Sequence, residues 1–215
     1  MSQNNQNDRA KALTLTPVSD DALARLDKYA ALLTEWQSRI NLIAPSTLPQ
    51  LWTRHFADSL QLLAHAPGAK IWVDLGSGAG LPGIPIACAL AHTPGAQVHL
   101  IESNGKKAAF LREATRITGA PAVVHAERIQ NFGESYAGTT DAVTARALAP
   151  LNSLLDQALP FMAEGAIGLF LKGQDLEAEL TDSSKRWSVE ATKAKSVTDP
   201  AGCVLIVRSL NRLKA

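Results

Sequence analysis

Apolar positions recur along this chain with two periods, and the change from one to the other divides the sequence. Up to about residue 64 they recur every three or four residues, which predicts helices over 19–36, behind a cap at Ser19 or Asp20, and over 48–64. Beyond residue 70, short apolar runs alternate with helical patterns. They predict strands at 71–75, 97–101, 122–125, 141–144 and 166–171, and helices from about 84 and over 104–116, 151–161 and 176–187.

The alternation of strands and helices predicts the α/β fold class, with a doubly wound, mostly parallel sheet. Two further β-like segments, 188–197 and 203–210, flank the turn residues 199–202 and predict a terminal hairpin, so the last strand runs antiparallel. We expect residues 1–68 to form a loose polar tail over 1–12 and an N-terminal helical subdomain. Residues 69–215 then form one compact unit.

Composition narrows the class of protein. The net charge is +1, from 21 basic and 20 acidic residues, so any contact with nucleic acid must come from a local patch. The two cysteines, Cys88 and Cys203, lie in apolar runs, which favours buried thiols in a reducing cytoplasm over a metal site or a disulfide. No stretch approaches the length of a membrane span, and residues 1–12 lack the apolar centre of a signal peptide.

Asp74 lies near the end of the first predicted strand, and Gly76, Gly78 and Gly80 follow the strand, in the pattern acidic-x-G-x-G-x-G. Glycines let the backbone turn sharply and let a ligand approach, and we expect free N–H groups of the next helix to face the cleft. A dinucleotide fold would need a third glycine where Leu81 stands. A carboxylate suits the ammonium and sulfonium of S-adenosylmethionine but would repel a pyrophosphate, so we predict a site for that cofactor.

Glu102 ends the second predicted strand. In a doubly wound sheet this tip lies beside the ribose of a nucleotide, whose hydroxyls can donate to a carboxylate. The alternative is that Glu102 caps the following helix. We favour the ribose contact because Glu102 follows Gly76 by 26 residues, near the spacing of a βαβ unit.

Basic residues stand at the ends of several predicted elements. Arg54 and Asp58 are four apart, and the simplest interpretation is a surface ion pair. We also predict that Arg54, Lys106 and Lys172 contact phosphates around one cleft. Arg146 follows the fourth strand, where open α/β sheets bind ligands. Its partner would be the cofactor's carboxylate or an RNA phosphate, or, in a purely structural role, Asp141 or Asp74.

These motifs together resemble the bacterial RsmG family, also called glucose-inhibited division protein B, over about residues 23–207. The resemblance rests on a set of short motifs: Trp36 with Asn41-Leu42, Arg54-His55 with Asp58-Ser59-Leu60, residues 74–85, Glu102-Ser103-Asn104 with Lys106-Lys107 and Phe110-Leu111, Arg146-Ala147, and Lys172-Gly173. The long glycine-proline motif at 74–85 is specific to that family among methyltransferases. The resemblance implies a Rossmann-like class I methyltransferase domain over 69–215.

The resemblance implies a cytoplasmic enzyme that transfers a methyl group from S-adenosylmethionine to N7 of nucleotide 527 in 16S ribosomal RNA, within the small subunit. Gly76 and Leu81 would hold the cofactor and Ile129 and Gln130 would lie along its adenine, where the family commonly carries an acid. Arg146 would close the site as the catalytic residue, and His55 would join Arg54 at the RNA.

N7 of guanine carries no proton, so this reaction needs no general base. The alternatives are a methyltransferase acting on a small molecule, a module that binds the cofactor without turnover, or a dinucleotide-dependent reductase, against which Leu81 argues. The sequence leaves the oligomeric state open, with a monomer favoured, and gives no choice between free RNA and the assembled subunit as substrate.

Overall fold

The computed structural model describes residues 3–163 and 165–213. Its centre is a seven-stranded sheet in the order β3-β2-β1-β4-β5-β7-β6. The strands are β1 (Ile71–Leu75), β2 (Gln97–Ile101), β3 (Ala122–His125), β4 (Ala142–Arg146), β5 (Ile167–Lys172), β6 (Trp187–Lys195) and β7 (Cys203–Arg212). Strands β1 to β5 are parallel, and β7 pairs antiparallel with both β5 and β6. The predicted fold class is therefore confirmed, including the terminal hairpin.

Helices cover both faces of the sheet. They are α1 (Gln3–Leu15), α2 (Asp20–Gln37), α3 (Asp58–Leu60), α4 (Gly83–Ala89), α5 (Gly105–Thr118), α6 (Ile129–Ser135), α7 (Leu151–Met162) and α8 (Leu176–Ser183). The alternation of side chains along β1 shows the two layers. Trp72 packs with the N-terminal helices, α4 and α5, whereas Val73 and Leu75 pack with α6 and α7. No helix among these is long and apolar enough to cross a membrane.

The expectation of a loose tail over residues 1–12 is wrong for the part that the structure describes, because α1 begins at Gln3; residues 1 and 2 lie outside the described residues. The helix has almost no apolar stripe and docks through polar contacts. Asp8 accepts a hydrogen bond from the backbone N–H of Trp52 (2.8 Å), and Arg9 forms an ion pair with Asp27 (2.7 Å). Periodicity of apolar residues cannot find such a helix, since long-range polar partners hold it.

The helix predicted over 48–64 is a mixed helical segment of changing pitch. It comprises 3₁₀ turns at Pro45–Gln50 and Gln61–His65, a π-helical turn at Trp52–Ala57 and the short α3. Wide and tight turns change which side chains share a face. The predicted ion pair between Arg54 and Asp58 accordingly does not form, and Arg54 instead pairs with Asp199. Helix α8 also ends before residue 187, because the buried Trp187 opens β6.

The N-terminal helices share one hydrophobic core with the sheet. Tyr29 of α2 is fully buried, stacks on Phe56 and lies against Phe110 of α5, with ring centroids 5.2 and 6.3 Å away. The Tyr29 hydroxyl donates a hydrogen bond to the carbonyl of Ala79, in the glycine loop after β1. The helical region therefore supports the glycine loop from beneath. A domain boundary near residue 68 stays a prediction.

Candidate active site

The glycine loop (residues 76–80) leaves β1 with three left-handed glycines. The φ angles are +64° at Gly76, +56° at Gly78 and +84° at Gly80, a region that residues with a Cβ adopt at a cost. A Cβ at Gly76 would overlap the side chain of Leu148, and one at Gly80 would lie 2.6 Å from Ile84. A Cβ at Gly78 would meet only a backbone oxygen at 3.7 Å. Gly76 and Gly80 therefore allow close packing, while Gly78 borders open space in the cleft.

Asp74, the acid that opens the motif, is fully buried beneath this loop. Its carboxylate accepts hydrogen bonds from the Gly83 N–H (3.2 Å) and the Thr144 hydroxyl (3.1 Å). Burial raises the pKa of Asp74 to about 7, against the effect of hydrogen bonds that favour the ionised form. These contacts tie the start of α4 to β1 and β4. Contact of Asp74 with a cofactor stays a prediction, because its side chain lies below the described cleft lining.

The expectation of free N–H groups at the start of α4 is wrong. The Gly83 N–H is donated to Asp74, the Ile84 N–H to the carbonyl of Gly80 (2.7 Å), and Pro85 has none. Residues 83–88 are buried, and a buried donor must find a partner within the protein. The first residues of α4 therefore leave no N–H group for a ligand.

Glu102 lies at the tip of β2, beside the glycine loop. One carboxylate oxygen accepts from the Gly78 N–H (2.9 Å) and the other from the Asn104 N–H (2.7 Å). Asn104 itself caps α5 through the N–H groups of Lys106 and Lys107, so the capping role considered for Glu102 belongs to Asn104. Each oxygen of Glu102 keeps a lone pair for a further donor.

A cavity of about 320 Å³, the smaller chamber, opens beside Glu102. The start of α6 supplies Ile129 and Gln130 to its wall. Contact of these two residues with an adenine stays a prediction. Gly76, Gly78 and Arg146 line this chamber and also a second one of about 550 Å³, the larger chamber. The two chambers therefore meet at the glycine loop.

Several parts of the chain line the larger chamber, and most of its walls come from five of them. Besides the glycine loop and Leu81, they are the end of β4 with residues 147–149, the end of β5 at Lys172 and Gly173, the mixed helical segment, and the hairpin turn of residues 196–202. Ala147 follows Arg146 with φ of +49°, a rare conformation for a residue with a Cβ.

Arg146 lies between the chambers and the mixed helical segment, with 19% of its side chain exposed. Its guanidinium donates to Nδ1 of His55 (2.7 Å) and lies 4.0 Å from the Asp58 carboxylate. Neither Asp141 nor Asp74, the structural partners considered from the sequence, pairs with it. Asp141 instead accepts from the N–H groups of Lys70 and Ile71, at the opposite end of β1.

His55 is neutral in this arrangement. Burial and the neighbouring cations Arg146 and Arg54 lower its pKa to about 3. A guanidinium can only donate, so Nδ1 of His55 accepts from Arg146. Nε2 therefore carries the proton and donates to the Thr47 hydroxyl (2.8 Å). Burial also lowers the pKa of Arg146, an effect that Asp58 opposes.

The structure brings together three of the four residues expected at the RNA. Arg54, His55 and Lys172 line the larger chamber, Arg54 in an ion pair with Asp199 and Lys172 in one with Glu179 (2.5 Å). Lys106 is exposed on the first turn of α5 and does not line either described chamber. Its neighbour Lys107 lines both.

Sequence reasoning missed two parts of the larger chamber. One is Asp58, for which the spacing along the chain favours a surface ion pair with Arg54 over contact with a ligand. The other is the hairpin turn, of which Ser196, Asp199 and Gly202 line the chamber. The turn residues are visible in the sequence, but nothing local shows that the end of the chain folds back onto the helices.

The sheet order, the reversed β7 and the glycine loop after β1 define the Rossmann-like fold of class I methyltransferases. Two solved structures share this fold at low identity. An O-methyltransferase from Bacillus cereus in complex with SAH has a TM-score of 0.62 and 14% identity, covering 94% of this chain and 96% of that one. The O-methyltransferase TomG from Streptomyces achromogenes in complex with SAM has a TM-score of 0.60 and 15% identity, covering 97% and 100%.

Comparison of sequences identifies the family. The GidB family, described as rRNA small subunit methyltransferase G, matches residues 22–203, so the chain belongs to this family. A relative from Bradyrhizobium sp. strain BTAi1, named ribosomal RNA small subunit methyltransferase G, is 58% identical over 95% of this chain and 92% of its own length. One of the same name from Rhodopseudomonas palustris strain BisB5 is 50% identical over 99% and 91%. The predicted family, enzyme class and cofactor, S-adenosylmethionine, are confirmed.

Proposed function

We propose that this chain methylates small-subunit ribosomal RNA, and that it does so at N7 of a guanosine, nucleotide 527 of 16S RNA. The observation that carries the proposal is the pair of chambers that meet at Gly76 and Gly78. A cofactor that crosses the glycine loop would have its nucleoside in the smaller chamber and its reactive end in the larger one. The larger chamber is wide enough for a base and is lined by cations that suit a polyanion.

The residues present fit S-adenosylmethionine. Glu102 has acceptor capacity for the ribose hydroxyls, and Ile129 and Gln130 would lie along the adenine. Gly76, Gly78 and Leu81 border the path between the chambers, and Gly80 and Asp74 hold the loop in shape from beneath. When bound, the cofactor supplies a methyl group whose carbon bonds to the N7 lone pair while the carbon–sulfur bond breaks and its electron pair stays on sulfur.

The protein's own part is placement. Because N7 is unprotonated, no side chain has to remove a proton, and the neutral His55 agrees with this, since its Nδ1 is occupied by Arg146. Methylation leaves the purine cationic, and a guanidinium beside it would repel it. The guanidinium of Arg146 is therefore better suited to bind an anion. We assign Arg146 to a phosphate of the RNA or the carboxylate of the cofactor, held in one orientation by His55.

Phosphates would be met at the rim of the larger chamber by Arg54, Lys172 and, further out, Lys106, with His55 beneath them. Arg54 and Lys172 already form ion pairs with Asp199 and Glu179. An RNA phosphate that binds at either position would replace the carboxylate. An enzyme that methylates this RNA would act in the cytoplasm, on the free RNA or on the small subunit. We favour a monomer as its oligomeric state.

The test is methyl transfer from labelled S-adenosylmethionine to 16S RNA and to 30S subunits, both from a strain that lacks this activity. We expect label at N7 of the target guanosine, located by borohydride and aniline cleavage, which cuts RNA at N7-methylguanosine. Label at another atom or nucleotide, or in neither substrate, would disprove the proposed position. A comparison of the two substrates shows which form of the RNA is used.

A further inference from the structure

Asp58 is a carboxylate in the larger chamber without an assigned role. It opens α3 within the mixed helical segment, and its side chain is only 16% exposed. A buried carboxylate is costly unless hydrogen bonds satisfy it. Burial raises the pKa of Asp58, while the Thr198 hydroxyl and Arg146 act in the opposite direction.

The two oxygens of Asp58 have different surroundings. Oδ1 accepts from the Thr198 hydroxyl (2.7 Å) and from Nε2 of Gln61 (2.8 Å), which fills both of its lone pairs and fixes the carboxylate plane. Oδ2 has Arg146 at 4.0 Å, beyond hydrogen-bond length. Among the residues that the structure describes, no donor lies within bonding distance of Oδ2.

The Arg146 guanidinium is held away from Oδ2 by other partners. Its Nη1 donates to His55 (2.7 Å) and approaches the carbonyl of Arg54 (3.4 Å). Asp58 therefore presents one rigid, unfilled acceptor, with two lone pairs, in a chamber that also contains the glycine loop. A ligand that offers two adjacent donors would satisfy it.

We infer that Oδ2 of Asp58 accepts hydrogen bonds from N1–H and the N2 amino group of the target guanine. Among the four RNA bases only guanine offers two neighbouring donors on its pairing edge. N7 is on the opposite edge of the base and would then face away from Asp58. The inference rests on the proposed function and adds to it the residue that distinguishes guanine from other bases.

The same contact would favour the reaction itself. Methylation at N7 makes the purine positive and its N1–H more acidic, so the hydrogen bond to a carboxylate strengthens as the transition state is approached. Asp58 would then both recognise the base and stabilise the developing charge, without taking part in proton transfer.

The experiment compares RNA with guanosine or inosine at the target position, because inosine lacks only the N2 amino group. We expect wild-type kcat/KM to be roughly fivefold or more higher for guanosine, the lower end of the range for a good pair of base contacts. In Asp58→Asn this ratio should fall close to one, since the amide turns a donor toward the base. If Asp58 only holds the hairpin turn, both substrates lose rate equally and the ratio stays at the wild-type value.

Asp199→Asn is the matched control, as it neutralises the other acid of the same chamber. It should keep the wild-type guanosine-to-inosine ratio, and a collapse of the ratio in this variant as well would overturn the assignment. Equal use of guanosine and inosine by the wild type would overturn it without any variant having to fold. Absence of N7 methylation by the wild type would disprove the proposed function, and this inference with it.

Discussion

The two halves of the site are built in different ways. The half that we propose binds the cofactor, residues 74–83 (the cofactor half), is held by contacts between neighbouring strands and by Gly76, Gly80 and Gly83, where a Cβ would overlap other side chains. The half that we propose binds the substrate (the substrate half) is a wall in which the mixed helical segment meets the hairpin turn. Thr198 bonds Asp58 and the Val197 N–H bonds Gln61, across 140 and 136 positions of sequence. An added side chain in the closely packed cofactor half should therefore destabilise the protein. The polar contacts of the substrate half contribute about 1 kcal/mol each, so each can be removed separately with a small effect.

The largest loss of stability should come from adding a side chain to the closely packed cofactor half. In Gly83→Ala the new Cβ would overlap the side chain of Leu100 and lie 2.8 Å from Asp74, so we expect about 3 kcal/mol less stability in urea unfolding. Gly173→Ala in the other half is the control, because no atom lies within 4 Å of its Cβ. A loss below about 0.5 kcal/mol for Gly83→Ala would show that the cofactor half can relax.

Gly78 tests the one open position in the glycine loop. We expect Gly78→Val to raise the Kd for S-adenosylmethionine about 100-fold, near 2.7 kcal/mol, while the protein remains folded. Gly95→Val imposes the same backbone strain, since Gly95 has φ of +79° with nothing within 4 Å, but lies outside the cleft. Calorimetry that finds equal affinities for both variants would mean that Gly78 does not border the cofactor.

Glu102 joins the glycine loop to the smaller chamber. Glu102→Ala should weaken cofactor binding by about 1 to 3 kcal/mol, the range for removing hydrogen bonds to a charged group. Glu113→Ala, on the surface of α5 beside Arg116, removes an acid of the same type away from the cleft. If both variants bind the cofactor as the wild type does, Glu102 serves only to fix Gly78 and Asn104.

Arg146 lies where the two halves meet. Arg146→Lys keeps a cation but cannot reproduce the planar contact with His55, so we expect transfer to slow about tenfold with little change in Tm. Arg212→Lys, at an ion pair with Asp156 far from the chambers, should change neither quantity. A large drop in Tm with normal turnover per folded molecule would assign Arg146 to the fold.

The smallest effects belong to the rim of the substrate half. Alanine at Arg54, Lys106 or Lys172 should reduce the slope of log affinity against log salt by about 0.7 to 0.9 for each phosphate that the variant no longer binds. Lys107→Ala is the informative comparison for Lys106→Ala, because Lys107 lines both chambers and Lys106 lines neither. Unchanged slopes for all four variants would place the RNA elsewhere.

Most of the sheet and the glycine loop could be predicted because their signals are local. Strand and helix periods showed the βα alternation, and the spacing of Asp74, Gly76 and Glu102 indicated the nucleotide end of the sheet. Helix α1 and the pitch of residues 45–65 could not be predicted. The first is held by Asp8 and Arg9 through distant partners, and the second contains Pro45 and Pro49 and adapts to the residues packed against it.

The sequence by itself determined the order of elements, the reversed last strand and the position of the glycine loop, since each depends on residues that are neighbours in the chain. Only the tertiary structure decided the partners of the charged residues around the larger chamber. Arg54 had Asp58 four positions away but pairs with Asp199, and Arg146 faces His55 and Asp58 from the end of another strand. Such pairs form where distant segments of the backbone come close together in the fold. The spacing of residues along the chain does not show which segments do so.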